Sequence, residues 1–83
     1  MISAILIDDD KHLREGLKAL LDRYTNDIHI VGEAESVKTG IVAIEKWQPQ
    51  VIFLDIHLSD GTGFDILERL KKPTGKLHRT SFL

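Results

Sequence analysis

Three times along the chain, a short run of branched apolar residues gives way to a segment whose apolar positions recur with helical spacing. That alternation predicts βαβαβα with a parallel sheet. Ser3 to Ile7 is apolar without a break, as expected of a strand covered on both faces, and it stops at Asp8-Asp9-Asp10. Leu13, Leu17, Leu20, Leu21 and Tyr24 then fall at i, i+4, i+7, i+8 and i+11, one stripe of an amphipathic helix. Asn26-Asp27 supplies the turn that follows. Ile28, Ile30 and Val31, interrupted by His29, predict a second strand that ends at Gly32-Glu33 and lies at a partly exposed edge.

Ser36 is the predicted N-cap of a second helix, whose period runs through Val37, Ile41, Ile44 and Trp47 or Gln48. Gly40 inside it costs about 1 kcal/mol relative to Ala. Pro49 prevents continuation and is expected to push Gln48 into extended geometry. Val51 to Leu54 is the third and most apolar strand, ending at Asp55. Gly61 and Gly63 punctuate a loop, Phe64, Leu67 and Leu70 begin a third helical stripe, and Pro73 with Gly75 closes it. From Lys76 neither period persists. The sequence therefore predicts an ordered unit over 1–75 and an irregular tail over 76–83.

Length and composition narrow the function classes. A chain of 83 residues holds one small domain, and 42% apolar with 29% charged residues is a globular rather than a disordered balance. Lys and Arg number 11 against 13 Asp and Glu, and no basic run exceeds Lys71-Lys72, which argues against direct nucleic-acid binding. The absence of cysteine excludes disulfides, thiolate metal sites and a thiol nucleophile. Ala4–Ile7 and Val51–Leu54 are too short to span a bilayer and no signal segment opens the chain, so no membrane association and a cytoplasmic location are expected.

The chemistry lies in the acids. In an open parallel α/β sheet, ligands bind beyond the carboxyl ends of the strands, where the strand order switches. Right-handed crossovers make the first and third strands neighbours in the order 2-1-3, so Asp8, Asp9 and Asp55 converge on one rim. Acids between a strand and a helix are common as caps, and any one of them alone carries no chemistry. Three together repel unless a cation shares their charge. Oxygen-only donors suit Mg²⁺, which commonly takes one or two carboxylates and a phosphate oxygen. A carboxylate beside such a metal can itself accept a phosphoryl group, and Asp55, alone at the tip of the most apolar strand, is the better acceptor. Asp10 is expected to serve the start of the first helix.

"AILIDDD" with Arg14 downstream, "WQPQVIFLD", and "LDIHLSDGTGFDIL" together resemble the receiver domain of bacterial two-component response regulators, over Ile2 to about Leu70. The acceptor loop is similar to that of receivers preceding LytTR-type DNA-binding domains. The resemblance implies a partial flavodoxin-like (CheY-like), doubly wound α/β sheet of three βα units. It implies that Asp55 takes a phosphoryl group from a sensor histidine kinase, that Asp8 and Asp9 form the Mg²⁺ pocket, and that the backbone carbonyl of His57 completes the metal shell. Gly63 matches the family glycine after the acceptor loop, and Ser59 stands where many members have proline. The family ends its fourth strand with Ser or Thr and its fifth with Lys, both against the phosphoryl group, and neither is found here; Thr80 follows no buried strand. The expectation is a truncated receiver that accepts phosphate poorly and self-associates through the open edge of its third strand. The competing readings are a phosphorylation-independent interaction module and a metal-dependent phosphohydrolase with an aspartate nucleophile. The latter class places a second acid two residues beyond the nucleophile, where this chain has His57, so the chain is expected not to be an enzyme.

Overall fold

In the computed structural model, which describes residues 1–70 and the backbone of 81–82, strand β1 (Ile2–Ile7) runs through the middle of a parallel sheet. On one side it pairs with β2 (Ile28–Ala34), and on the other with β3 (Val51–Leu54). The predicted order 2-1-3 is therefore the observed one. The β1–β2 register shifts between Ala4 and Ile5, so that Ala4 pairs with Ile30 but Ile5 with Gly32. Through that irregularity Ile7 ends level with both Ala34 and Leu54. The next amides continue the ladder: Asp8 N–H donates to the Ala34 carbonyl at 3.0 Å, and Asp55 N–H donates to the Ile7 carbonyl at 2.9 Å. Acids at both strand tips thus leave the sheet from one rim.

Helices α2 (Val37–Trp47) and α3 (Gly63–Leu70) cover one face, where Ile5, Ile7, Ala34, Ile44, Ile52, Leu58 and Ile66 form the buried core. Gly40, a cost by helix propensity, is what lets α2 lie this close. A Cβ there would stand 3.0 to 3.2 Å from side-chain atoms of Ile7 and Ile66. The capping predicted at Ser36 is present and reciprocal with Thr39. Gln48 departs from expectation: it is left-handed, at φ 44 and ψ 60, rather than extended. Gln48 N–H still closes the helix on the Ile44 carbonyl at 2.8 Å, and the reversal at Gln48 itself redirects the chain into Pro49. The third stripe is also corrected. Ile66 is the fully buried residue of α3, while Phe64 is 63% exposed, because Gly63 and Ile66 are the positions aimed at the sheet.

Alternation along the strands sends Leu6 and Phe53 to the opposite face, which α1 (Lys11–Tyr24) overlies. That face is loosely closed: Leu6, Leu13, Leu17 and Phe53 line an open cavity of about 200 Å³, and no residue of α1 is buried. Of the predicted stripe, Leu17 and Leu21 are half-buried, whereas Leu13, Leu20 and Tyr24 are exposed.

Beyond β3 the structure adds a short parallel strand, β6 (Ser81–Phe82), with Ser81 opposite Val51 and Phe82 opposite Ile52. The edge of β3 expected to be open is therefore paired along its first half, leaving Phe53 and Leu54 without an outer partner among the described residues. A backbone ladder two residues long has no side-chain period to announce it. The predicted helix stop at Pro73 and Gly75, and Thr80, lie outside the described residues.

Candidate functional site

Carboxylate oxygens of Asp8, Asp9 and Asp55 all lie within 4.8 Å of one another. Asp8 and Asp55 are half-buried and Asp9 is exposed, so the cluster opens to solvent on one side. The sequence expectation that these acids share a rim is met by the register that ends β1 and β3 together. His57 lies two residues past Asp55 in a short exposed strand segment, and its imidazole is outside the gathered set.

The turn carrying Asp8 and Asp9 is held at several points. Asp8 Oδ1 accepts from Asp10 N–H at 2.9 Å. Asp10 is the N-cap of α1, as predicted, accepting from His12 N–H at 2.9 Å and Leu13 N–H at 3.3 Å. Arg14, from the first turn of α1, donates through Nη1 to the Asp8 carbonyl at 2.5 Å and through Nε to Glu33 Oε1 at 3.1 Å. The other oxygen of Glu33 accepts from Lys18 Nζ at 3.0 Å. The hydrogen bond from Lys18, opposed by burial and reinforced by Arg14, holds the Glu33 carboxyl below its ordinary range. The sequence pattern marks Glu33 only as the end of a strand. Its pairing with residues 15 and 19 positions away leaves no local signal.

The loop after Asp55 is a small antiparallel ladder of β4 (His57–Leu58) and β5 (Gly61–Thr62). Leu58 plugs the core from within it. Asp60 at its tip accepts from Val37 N–H at 2.6 Å and Lys38 N–H at 3.1 Å, so the start of α2 anchors the loop and those backbone donors depress the Asp60 carboxyl below its ordinary value. Ser59, in place of a proline, stands beside this tether. Gly63 N–H donates to the Ile56 carbonyl at 2.8 Å, and a Cβ on residue 63 would stand 2.5 Å from the Asp55 carbonyl oxygen. Only glycine permits that approach, which fixes the backbone of the strand-tip acid.

A parallel α/β sheet whose two central strands deliver acids to one carboxyl-end rim, one of them alone after the third strand, defines a receiver-type site. The chain matches the response regulator receiver domain family over residues 4–80, and it belongs to that family. It is 36% identical over 85 residues to the sensory transduction protein LytT of Bacillus anthracis, covering 99% of this chain and 34% of LytT. Transcriptional regulatory protein BtsR of Escherichia coli K12 is 37% identical over 70 residues, covering 84% of this chain and 29% of BtsR. The response regulator domain of Thermotoga maritima CheB has the same fold, with a TM-score of 0.85 at 24% identity, covering 99% of this chain and 57% of that one. The chain spans about a third of the length of the curated relatives it matches. It is thus a receiver domain of two-component signalling with transcription-regulator relatives, and no helix among its described residues is long and apolar enough to cross a membrane.

Proposed function

We propose that Asp55 is the phosphoacceptor of this receiver, charged by a sensor histidine kinase in the cytoplasm, with Mg²⁺ held by Asp8, Asp9, Asp55 and the His57 carbonyl. The observation that carries this reading is the gathering of three carboxylates, from two strand tips, within 4.8 Å. The gathered ligand atoms are all carboxylate oxygens, the hard donors that would suit Mg²⁺. When bound, the metal neutralises charge on the incoming phosphoryl oxygens. Asp55 supplies the carboxylate oxygen that attacks phosphorus as the bond to the donor breaks, giving an acyl phosphate. Gly63 and the Ile7 carbonyl keep its backbone fixed while this happens. The chain accepts the group and does not turn over substrate.

The family's Ser or Thr and Lys, which also contact the phosphoryl group, come from strands beyond the third. Ser81 does not substitute: opposite Val51, it sits four residues short of the level of Asp55, about 13 Å along the strand. The 83-residue chain by itself is therefore proposed to accept phosphate slowly. The test is incubation with Mg²⁺ and a small acyl-phosphate donor, read by intact mass. It is run on this chain and on one completed with two further strand–helix units. Mg²⁺-dependent addition of one phosphoryl group to the completed chain, lost in Asp55→Asn, is the expected result. No addition to either chain overturns the reading, and rapid addition to the shorter one overturns the claim of slowness.

A further inference from the structure

We infer that Arg14 is a positioning residue for the acidic site, setting the Asp8–Asp9 peptide so that both carboxylates face Asp55, with Glu33 as the strut that holds Arg14. This rests on the metal-binding reading above and extends it to residues that touch no ligand.

The argument starts from the peptide plane. The Asp8 carbonyl and the Asp9 N–H belong to one rigid unit, so fixing the direction of that carbonyl fixes how the chain leaves Asp8 and enters Asp9. β1 has ended at that point, and the ladder no longer constrains this carbonyl. Arg14 Nη1 takes it at 2.5 Å. An arginine is suited to the task because its planar fork presents two donors at a fixed angle, and here the second, Nε, is engaged by Glu33 at 3.1 Å. The side chain of Arg14 is only 13% exposed, so the fork is held rather than waving in solvent. Glu33 in turn is fixed by the sheet, where it pairs with Leu6 beside the strand end that carries Asp8. Charge-assisted hydrogen bonds connect β2, α1 and the tip of β1 into one brace. Lys18 provides a built-in control: it shares Glu33 at 3.0 Å, carries the same charge on the same helix, and is 41% exposed, yet no hydrogen bond joins it to Asp8.

The sign of the effect separates positioning from plain electrostatics. Arg14 lines the same cavity as Asp8 and Asp55. If it acted only as a nearby positive charge, removing it would tighten the binding of a cation. If it sets the geometry of the carboxylates, removing it weakens that binding, as loss of a residue that orients metal ligands commonly does, by about tenfold. Arg14→Lys keeps the charge but cannot make both contacts, so it should weaken binding as well.

The experiment is calorimetric titration of the 83-residue chain with Mg²⁺, well below the melting temperature of each variant. Amide hydrogen exchange at Asp9 and Asp10 in metal-free protein provides a second readout. Expected are about tenfold weaker Mg²⁺ binding in Arg14→Ala, a smaller loss in Arg14→Lys and Glu33→Gln, faster exchange at Asp10 in each, and Lys18→Ala within about twofold of the unaltered chain. If Arg14→Ala does not fold, Arg14→Lys and Glu33→Gln carry the test. Unchanged or tighter binding in the Arg14 and Glu33 variants overturns the inference while leaving the site intact. So does an equal loss in Lys18→Ala, which would mark general destabilisation. An unaltered chain that takes up no Mg²⁺, or whose uptake survives Asp55→Asn and Asp9→Asn, overturns the metal reading itself, and the inference falls with it.

Discussion

Gly63 carries more of the site than its missing side chain suggests. A methyl group there meets the Asp55 carbonyl oxygen at 2.5 Å and Leu54 Cγ at 3.1 Å. The first of these is backbone and cannot rotate aside. Gly63→Ala should lower stability by roughly 1–3 kcal/mol, the usual cost of forcing atoms into a packed region, as read by denaturant unfolding. A change within 0.5 kcal/mol, about what an exposed position shows, would mean the strand tip adapts freely. Asp60 makes a second residue-scale prediction. Its carboxyl is held below its ordinary value near 3.8 by the amides of Val37 and Lys38, so the folded state favours the charged form. The stability it confers is complete well above that value and disappears as pH falls through the lower folded one. The melting temperature of Asp60→Asn should therefore trail the unaltered chain at neutral pH and converge with it in acid. A gap that persists unchanged into acid would show that charge is not the cause. The gathering of Asp8, Asp9 and Asp55 on one rim was legible in the sequence because a strand end fixes where a following residue emerges. Arg14, Glu33 and Asp60 act across 6 to 23 positions, distances over which no local pattern repeats.

At the scale of elements, α2 shows two rules in opposition. Alanine at position 40 would gain about 1 kcal/mol in helix propensity. It would also press against Ile7 and Ile66 at 3.0 to 3.2 Å, and overpacking typically costs about 1–3 kcal/mol. The packing cost is the larger, so Gly40→Ala is expected to destabilise the fold despite improving the isolated helix; a raised melting temperature would contradict this. The boundaries of α2 were readable from Ser36 and Pro49, but not the reversal at Gln48, since the residue before a proline is ordinarily extended. The same division holds elsewhere. The period of α1 identified a helix correctly, yet Leu13, at 61% exposure, shows that a stripe states which face could be covered and not whether anything covers it. In α3 the short period allowed more than one face, and the position of Gly63 against the sheet selected Ile66.

For the whole molecule, the two faces of the sheet are unequal. One carries α2, α3 and the buried cluster, while among the described residues the other has only α1, over a cavity of about 200 Å³. The outer side of Phe53 and Leu54 offers strand backbone without a partner among the described residues. Edges of this kind recruit other chains. The 83-residue chain is accordingly expected to self-associate with rising concentration, by light scattering. A single monomeric species across the accessible range would refute that expectation. The overall topology was readable because three strand–helix repeats leave few right-handed arrangements. The two-residue β6 was not, since it is held by backbone alone.

With Ser36 and Asp60 accepting its leading amides, α2 begins with no donors to spare. Sulfate or inorganic phosphate from a buffer, which tends to settle where a helix starts bare, has nothing to gain at that corner. Anion titrations of this protein should therefore be free of one common competing trap.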